Sequence, residues 1–554
     1  MTQQRSEKEQ QENEWHRGAC IYQIYPRSFL DTGGDGIGDL PGITQKLDYI
    51  ASLGIDGIWI SPFFTSPMKD FGYDVANYRD VDPIFGTLDD FKILLAKAHR
   101  LNLKIIIDLV LSHTSDQHPW FTESRTSHDN PKADWYVWAD PRPDMFGERV
   151  PPNNWVSVFG GPAWTFDETR GQYYLHNFLK EQPDLNFHNP DVQNAMLDIC
   201  KFWLDLGVDG FRLDVVNFYF HDQELRDNPP RSAELGPATQ FEGDDPYSAQ
   251  NHIYDKTRPE NLVFLERLRT LTNNYDNRAL IGEGGDDHFF QLADTYCTNN
   301  RLHTMYTPQL CAGKQKRLTA DLISHPVIDF LEQAPNAFPM WAFSNHDVVR
   351  AASRWCPDSD GFGHNPALSK TLIALLGCLQ GSFFLYQGEE LGLPEAKLEF
   401  EDLQDPWGKH LWPDWQGRDG CRTPLPWNNE TNAGFTTAEP WLPIAKTHPP
   451  LNAEKQDSDP ASTLNFTRAF LGWRKHQSAL IFGAITFIET GSDTLLAFER
   501  KSNEQTLLCI FNLKDTSQTL PPLLLPENIK TVFPAENQST GSLPPYSFQI
   551  WKYV

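Results

Sequence analysis

The sequence predicts an α/β protein built as a (β/α)8 (TIM) barrel, with a subdomain inserted after the third strand and an antiparallel β-domain at the C-terminal end. Three observations carry this. Short β-rich apolar runs alternate with segments that are apolar at i, i+3, i+4 and i+7, as parallel βαβ units require. Eight such runs occur before residue 390, the number a closed barrel needs. Past residue 478 the alternation stops, and "TLLAFER", "QTLLCIFNL" and "SFQIWKYV" read as antiparallel strands.

Taken in chain order, residues 1–14 are polar, lack an apolar h-region and are expected to form a disordered tail rather than a signal peptide. The barrel strands are expected at 19–25, 57–60, 104–108, 210–214, 279–282, 302–307, 341–344 and 381–386. Segments such as "LDDFKILLAKAHRLNLK", with acids first and bases last, supply the helices between them. The connection from the third strand to the fourth is far longer than an ordinary loop. Its residues 114–185 are rich in Pro, Trp and Asn and form the inserted subdomain, so the barrel comprises 15–113 and 186–477. A second long excursion, 219–260, follows the fourth strand. After a Pro-rich linker near 439–461 and the helix "STLNFTRAFLGWRKHQ", residues 478–554 make a terminal β-sandwich.

Composition narrows the partners. Acidic residues outnumber basic ones, 74 to 47, for a net charge of −27, which repels nucleic acid and anionic lipid and leaves neutral ligands open. Aromatics reach 13%, which suits stacking on sugar faces, although cores use aromatics too. No apolar run approaches the roughly 20 residues that cross a bilayer. The eight cysteines are scattered, mostly within apolar stretches, and contain no C-x-x-C. Buried free thiols in a cytoplasmic protein are expected. Oligomeric state is not readable.

Chemistry in such a barrel sits at the C-terminal ends of the strands. There the sequence places Tyr73 and Asp74, Asp108 and His113, Arg212 and Asp214, Glu283, and Asn345, His346 and Asp347. A single Asp after a strand is usually a helix cap or a loop hydrogen-bonder. Several carboxylates converging on one face are costly unless a site uses them. Three carboxylates with an Arg and two His suit a cationic transition state, and glycoside hydrolysis through an oxocarbenium ion is such a reaction.

One further stretch, "LDTGGDGIGDL" (30–40), alternates carboxylates with glycines as calcium-binding loops do. It is not an EF-hand: position 12 is Gly42 rather than Glu, and a strand precedes it in place of a helix.

In order along the chain come "IYQIYPRSFLDTGGDGIGDLPGI", "DLVLSH" (108–113), "QPDLN" (182–186), "GFRLDVV" (210–216), "GE" (282–283) and "SNHD" (344–347). With this ordered set the chain resembles the α-amylase family of glycoside hydrolases, in its α-glucosidase and oligo-1,6-glucosidase branch. The resemblance implies a retaining exo-α-glucosidase in which Asp214 is the nucleophile, Glu283 the acid/base and Asp347 the stabiliser of the transition state. It further implies a sugar pocket of Tyr73, Asp74, His113, Arg212, His346 and Arg418, with Glu395 reaching the next subsite. It implies a structural Ca2+ or Mg2+ ion held by Asp31, Asp35, Asp39, the Ile37 carbonyl and the backbone of Gly33, where the family often has Asn, with no organic cofactor. The implied substrates are short neutral α-glucosides such as maltose, isomaltose or sucrose. Three positions depart from the family: Ser112 replaces an Asn, Gly284 follows the acid in place of a bulkier residue, and Val215 follows the nucleophile, where Val goes with tolerance of α-1,6 links. Transglucosylation and a non-enzymatic transporter-subunit role are the alternatives; the latter relatives lack the carboxylates that this chain keeps.

Overall fold

The computed structural model describes residues 14–143, 146–232, 246–311, 317–356, 362–413, 415–525, 528–534 and 541–553. The expected disordered tail (1–14) lies outside the described residues except for Glu14, and 233–245 of the long excursion lies outside them as well.

Eight strands close into a barrel: β1 (Cys20–Ile24), β2 (Gly57–Ile60), β3 (Lys104–Leu109), β4 (Gly210–Leu213), β5 (Ala279–Gly282), β6 (Thr304–Thr307), β7 (Pro339–Trp341) and β8 (Ser382–Tyr386). They stand in chain order around the barrel, with β8 beside β1. The pairings are parallel; Arg212 of β4 stands opposite Asp108 of β3 and Ile281 of β5. Almost every barrel-strand residue is buried, which is why these strands read as apolar runs without alternation. All eight expected strands are present. The seventh lies earlier than expected, because the polar groups of 342–344 are engaged by the following turn: Arg354 donates to the Phe343 carbonyl and the Ala351 amide to Ser344 Oγ.

A helix follows each strand: α1 (Leu40–Ser52), α2 (Leu88–Arg100), α3 (Pro190–Leu206), α4 (Asn261–Thr272), α5 (Phe289–Cys297), α6 (Ala320–Gln333), α7 (Pro366–Cys378) and α8 (Thr463–Arg474). Local chemistry sets their ends. Asp39 caps α1 by accepting the Gly42 amide, and Asn189, Thr319, Asn365 and Ser462 cap α3, α6, α7 and α8. Gly207 ends α3 at φ 105°, a left-handed position that favours glycine.

The chain divides into two compact units. One comprises Met1–Trp59, Ala96–Lys104 and Thr307–Val554; the other comprises Ile60–Leu95 and Ile105–Tyr306. The second unit holds the inserted subdomain, a three-stranded sheet of Trp138–Ala139, Trp164–Asp167 and Gln172–Leu175 around Trp155, Trp164 and Tyr173. The first holds the terminal antiparallel sheet of β9 (Ala484–Ile488), β10 (Leu495–Lys501), β11 (Thr506–Asn512), β12 (Ile529–Phe533) and β13 (Ser547–Tyr553), ordered β9-β10-β11-β13-β12. Its core packs Leu495, Leu508, Ile510 and Trp551 against Leu520, Leu524 and Leu543. All eight cysteines are free, six of them buried. No described helix is long and apolar enough to cross a membrane.

Candidate active site

The second unit gathers its ionisable groups around Arg212, which is 3% exposed at its side chain. Its Nη1 lies 2.9 Å from Asp108 Oδ1 and 2.5 Å from Asp214 Oδ1, and its Nη2 lies 3.4 Å from Glu283 Oε2. The barrel register explains this: Arg212 and Asp108 are level on neighbouring strands, while Asp214 and Glu283 each follow directly on the C-terminal end of a strand. Tyr73 donates its hydroxyl to Asp108 Oδ2 at 3.1 Å.

Three carboxylates with one guanidinium carry a net charge of −2 when all are ionised. Burial pushes Asp214 well above the usual carboxylate range; Arg212 opposes this, while Glu283 and Asp108 add to it. Asp108 is pushed up to about 6, again chiefly by burial. The short bond from Arg212 favours the ionised form of Asp214, the form a nucleophile needs.

Val215, directly after Asp214, has φ 36° and ψ 50°. A β-branched residue in this left-handed region costs about 1–3 kcal/mol. The turn brings the Val215 amide to 2.9 Å from Glu283 Oε2. At Gly284, directly after Glu283, a Cβ would stand 2.8 Å from Asn217 Oδ1.

His113 is 1% exposed; its Nε2 lies 3.0 Å from the Tyr73 carbonyl and its Nδ1 2.9 Å from the Ser112 hydroxyl. Burial lowers its pKa to about 4, so the ring is neutral at pH 7. The Ser112 that departs from the family thus orients this imidazole. Gln182, from "QPDLN", places its Nε2 3.2 Å from His113 Nε2 and 3.4 Å from Asp70 Oδ2.

Asp74, directly after Tyr73, sits deep in the second unit. It is fully buried, and its carboxylate accepts the Ser66 hydroxyl and the Lys69 and Asp70 amides at 2.8–3.0 Å. Its carboxylate therefore braces the 66–70 loop. The carboxylate beside the His113–Gln182 pair belongs to Asp70, which sequence reasoning missed although it stands three residues before Tyr73.

The first unit holds the second group. His346 is 1% exposed, with Gln23 Nε2 2.7 Å from its Nδ1, Tyr25 stacked at 5.8 Å and Trp59 edge-on at 5.9 Å. Its Nε2 lies 3.3 Å from Asp347 Oδ2. Two arginines reach Asp347 Oδ1: Arg422 at 2.8 Å and Arg418 at 3.4 Å. Arg418 spends Nε and Nη2 on Asp405, a carboxylate held down to about 2 against the effect of its burial, chiefly by Arg418. Arg418 thus joins Asp405 to Asp347. Arg422, whose Nε also bonds the His346 carbonyl, is the closer partner of Asp347. Sequence reasoning missed Arg422, which stands one helical turn after Arg418 in "GRDGCR". Glu395 is 6% exposed and accepts the Arg350 amide at 2.8 Å, and a Cβ on Gly420 would stand 2.3 Å from its Oε1.

The 31–39 loop is closed by its own carboxylates. Asp31 accepts the Gly34 and Gly36 amides, Asp39 the Thr32, Gly33 and Gly42 amides, and Asp35 the Ile37 amide. Asp31 and Asp39 both border the space beside Gly33, 3.6 and 3.7 Å from where its Cβ would stand, whereas Asp35 is engaged by the backbone two residues on. Among the described residues no three His, Cys, Asp or Glu side chains group as a metal site. The loop therefore fits an ion only in part, with two carboxylates to be completed by backbone carbonyls or water.

A (β/α)8 barrel with buried, coupled carboxylates at the C-terminal ends of its strands marks a barrel enzyme of acid–base or nucleophilic chemistry. Comparison with known proteins gives the family: the α-amylase catalytic-domain model matches residues 23–483, and the chain belongs to this family of glycoside hydrolases. A probable α-glucosidase of Rhizobium meliloti is 55% identical over 92% of this chain and 91% of its own. The oligo-1,6-glucosidase of Heyndrickxia coagulans is 37% identical over 91% and 93%. Among solved structures, the α-glucosyl transfer enzyme XgtA is 50% identical, with a TM-score of 0.92 over 98% of this chain and all of that one.

Proposed function

We propose that the protein is a retaining exo-α-glucosidase that releases α-glucose from the non-reducing end of short α-glucosides. The observation that carries this reading is the single guanidinium of Arg212 spanning Asp214 and Glu283. A guanidinium shared by both carboxyl groups supports the close spacing of about 5–5.5 Å that double displacement uses. Asp214 attacks the anomeric carbon as Glu283 protonates the departing oxygen; Glu283, now ionised, then takes a proton from the water that cleaves the glycosyl-enzyme. Asp347, set by Arg422, Arg418 and His346, serves as the third carboxylate and binds sugar hydroxyls. The proposed sugar-binding groups of the second unit are Tyr73, Asp74, His113 and Arg212, with Asp70 and Gln182 beside them, and those of the first are His346 and Arg418.

The test is NMR of maltose hydrolysis, with initial rates on maltose, isomaltose, sucrose and longer maltodextrins. α-Glucose is expected as the first anomer released, with rates falling as the chain lengthens; β-glucose first would refute retention. The likeness to a glucosyl transfer enzyme favours a second reading, in which a sugar hydroxyl replaces water in the second step. A product profile dominated by oligosaccharides longer than the substrate would favour transfer over hydrolysis.

We also propose that a Ca2+ or Mg2+ ion beside Gly33, held by Asp31 and Asp39, pins the first loop and takes no part in hydrolysis. Restoring Ca2+ to chelator-treated protein is expected to raise Tm by about 3 °C with kcat unchanged. Loss of kcat on chelation at constant Tm would overturn that division.

A further inference from the structure

The segment that follows the nucleophile also holds the residue assigned as acid. Beyond the Val215 amide on Glu283 Oε2, the Val216 amide donates to the Glu283 carbonyl at 2.7 Å. Asn217 Nδ2 donates to the Gly285 carbonyl at 3.0 Å, and the missing Cβ of Gly284 makes room for the Asn217 carboxamide. Residues 215–217 are thus joined to 283–285 at three successive points. This contact depends on the left-handed turn at Val215, a conformation that a valine does not adopt by preference. What over-determines the turn is visible: the Val215 side chain packs against the cluster of Val158, Phe218 and Tyr247, and its carbonyl accepts the Phe218 amide at 2.8 Å.

We infer that Val215 is a positioning residue for the acid/base: its strained turn aims a main-chain N–H at one oxygen of Glu283 and so fixes which oxygen delivers the proton. A backbone N–H gives up no proton and accepts none, so it holds Oε2 in both protonation states of the carboxyl. Arg212 Nη2 stands 3.4 Å from the same oxygen, so the Val215 hydrogen bond and the Arg212 ion pair both fall on Oε2. The transferred proton therefore sits on Oε1 as the leaving oxygen departs and returns there from water in the second step. The inference rests on the assignment of Glu283 as acid/base.

The test replaces the Val215 N–H by an ester oxygen, using the α-hydroxy analogue of valine in the full-length chain. Gly284→Ala, which forces residues 283–285 away from Asn217, is the second variant in case the ester chain fails to fold. Rates are compared on maltose, whose leaving group needs a proton, and on α-glucosyl fluoride, whose leaving group does not. A mispositioned acid is expected to cost about ten-fold in kcat/KM on maltose and less than about two-fold on the fluoride. A merely structural defect would lower both alike, and equal losses, or no loss, in both variants would overturn the inference. Glu283→Gln separates the two layers. If that variant spares the fluoride and the ester and Gly284→Ala chains do not, only the role of Val215 falls; if Glu283→Gln itself shows no dependence on the leaving group, the assignment of Glu283 falls.

Discussion

Asp214→Asn is expected to lower kcat on maltose by about 10^5-fold while the barrel stays folded, because the amide cannot form the glycosyl ester on which double displacement depends. The exchange is nearly isosteric, and it removes one negative charge from a buried cluster whose three acids share a single guanidinium. Since burial pushes the Asp214 carboxyl up, holding its charge costs the native fold stability at neutral pH. The sign follows: an acid raised in the folded state favours folding below its unfolded value and loses that contribution as pH rises toward the folded value. The variant is therefore expected to melt no lower than the native chain at pH 7, and to gain relative to it as pH rises. Glu283→Gln should behave differently, reacting with α-glucosyl fluoride and accumulating a glycosyl-enzyme detectable as an added hexosyl mass. Turnover by Asp214→Asn near the native rate, after exclusion of deamidation by mass, would sink the assignment of the nucleophile.

What the sequence made legible, and what it did not, follows from how each feature is encoded. The barrel strands were readable because strands buried on both faces need unbroken apolar runs, and eight of them leave little choice of fold. Asp214 and Glu283 were readable because each follows a strand end directly, where topology alone fixes the position. The surroundings of Asp74 were not readable: in a loop, sequence distance does not say which groups a carboxylate meets. Only the bonds from Ser66, Lys69 and Asp70 decide that Asp74 holds the loop. Arg418 and Arg422 posed the same problem one helical turn apart, and it was resolved by the buried Asp405, whose pairing with Arg418 no local pattern announces. The left-handed backbone at Val215 left no trace at all, because a valine there looks like one more residue of a β-run.

Arg212→Leu is expected to have the largest effect on stability of any single change in the site. The guanidinium is fully buried, and burial opposes its charge, yet Asp108, Glu283 and Asp214 together hold it well above its ordinary pKa. Leucine fills much of the volume but leaves Asp108, Asp214 and Glu283 with no counter-charge, and an uncompensated buried charge typically costs about 3–5 kcal/mol. The cost should depend on pH in a way that a packing defect would not. Without Arg212 the Asp108 and Asp214 carboxyls shift further upward, so the folded state binds protons that the unfolded chain has already released, and stability falls as pH rises from about 4 toward neutrality. The deficit relative to the native protein should therefore be large at pH 7 and shrink toward pH 4, where the unfolded chain also begins to take up protons. Denaturant titrations of both proteins across that range measure it directly. A deficit independent of pH would mean that Arg212 stabilises by packing alone, and that the charge of the cluster is balanced by some other group. Activity should fall together with stability, because a nucleophile whose ionised form is no longer favoured is mostly protonated at the pH where the native enzyme works.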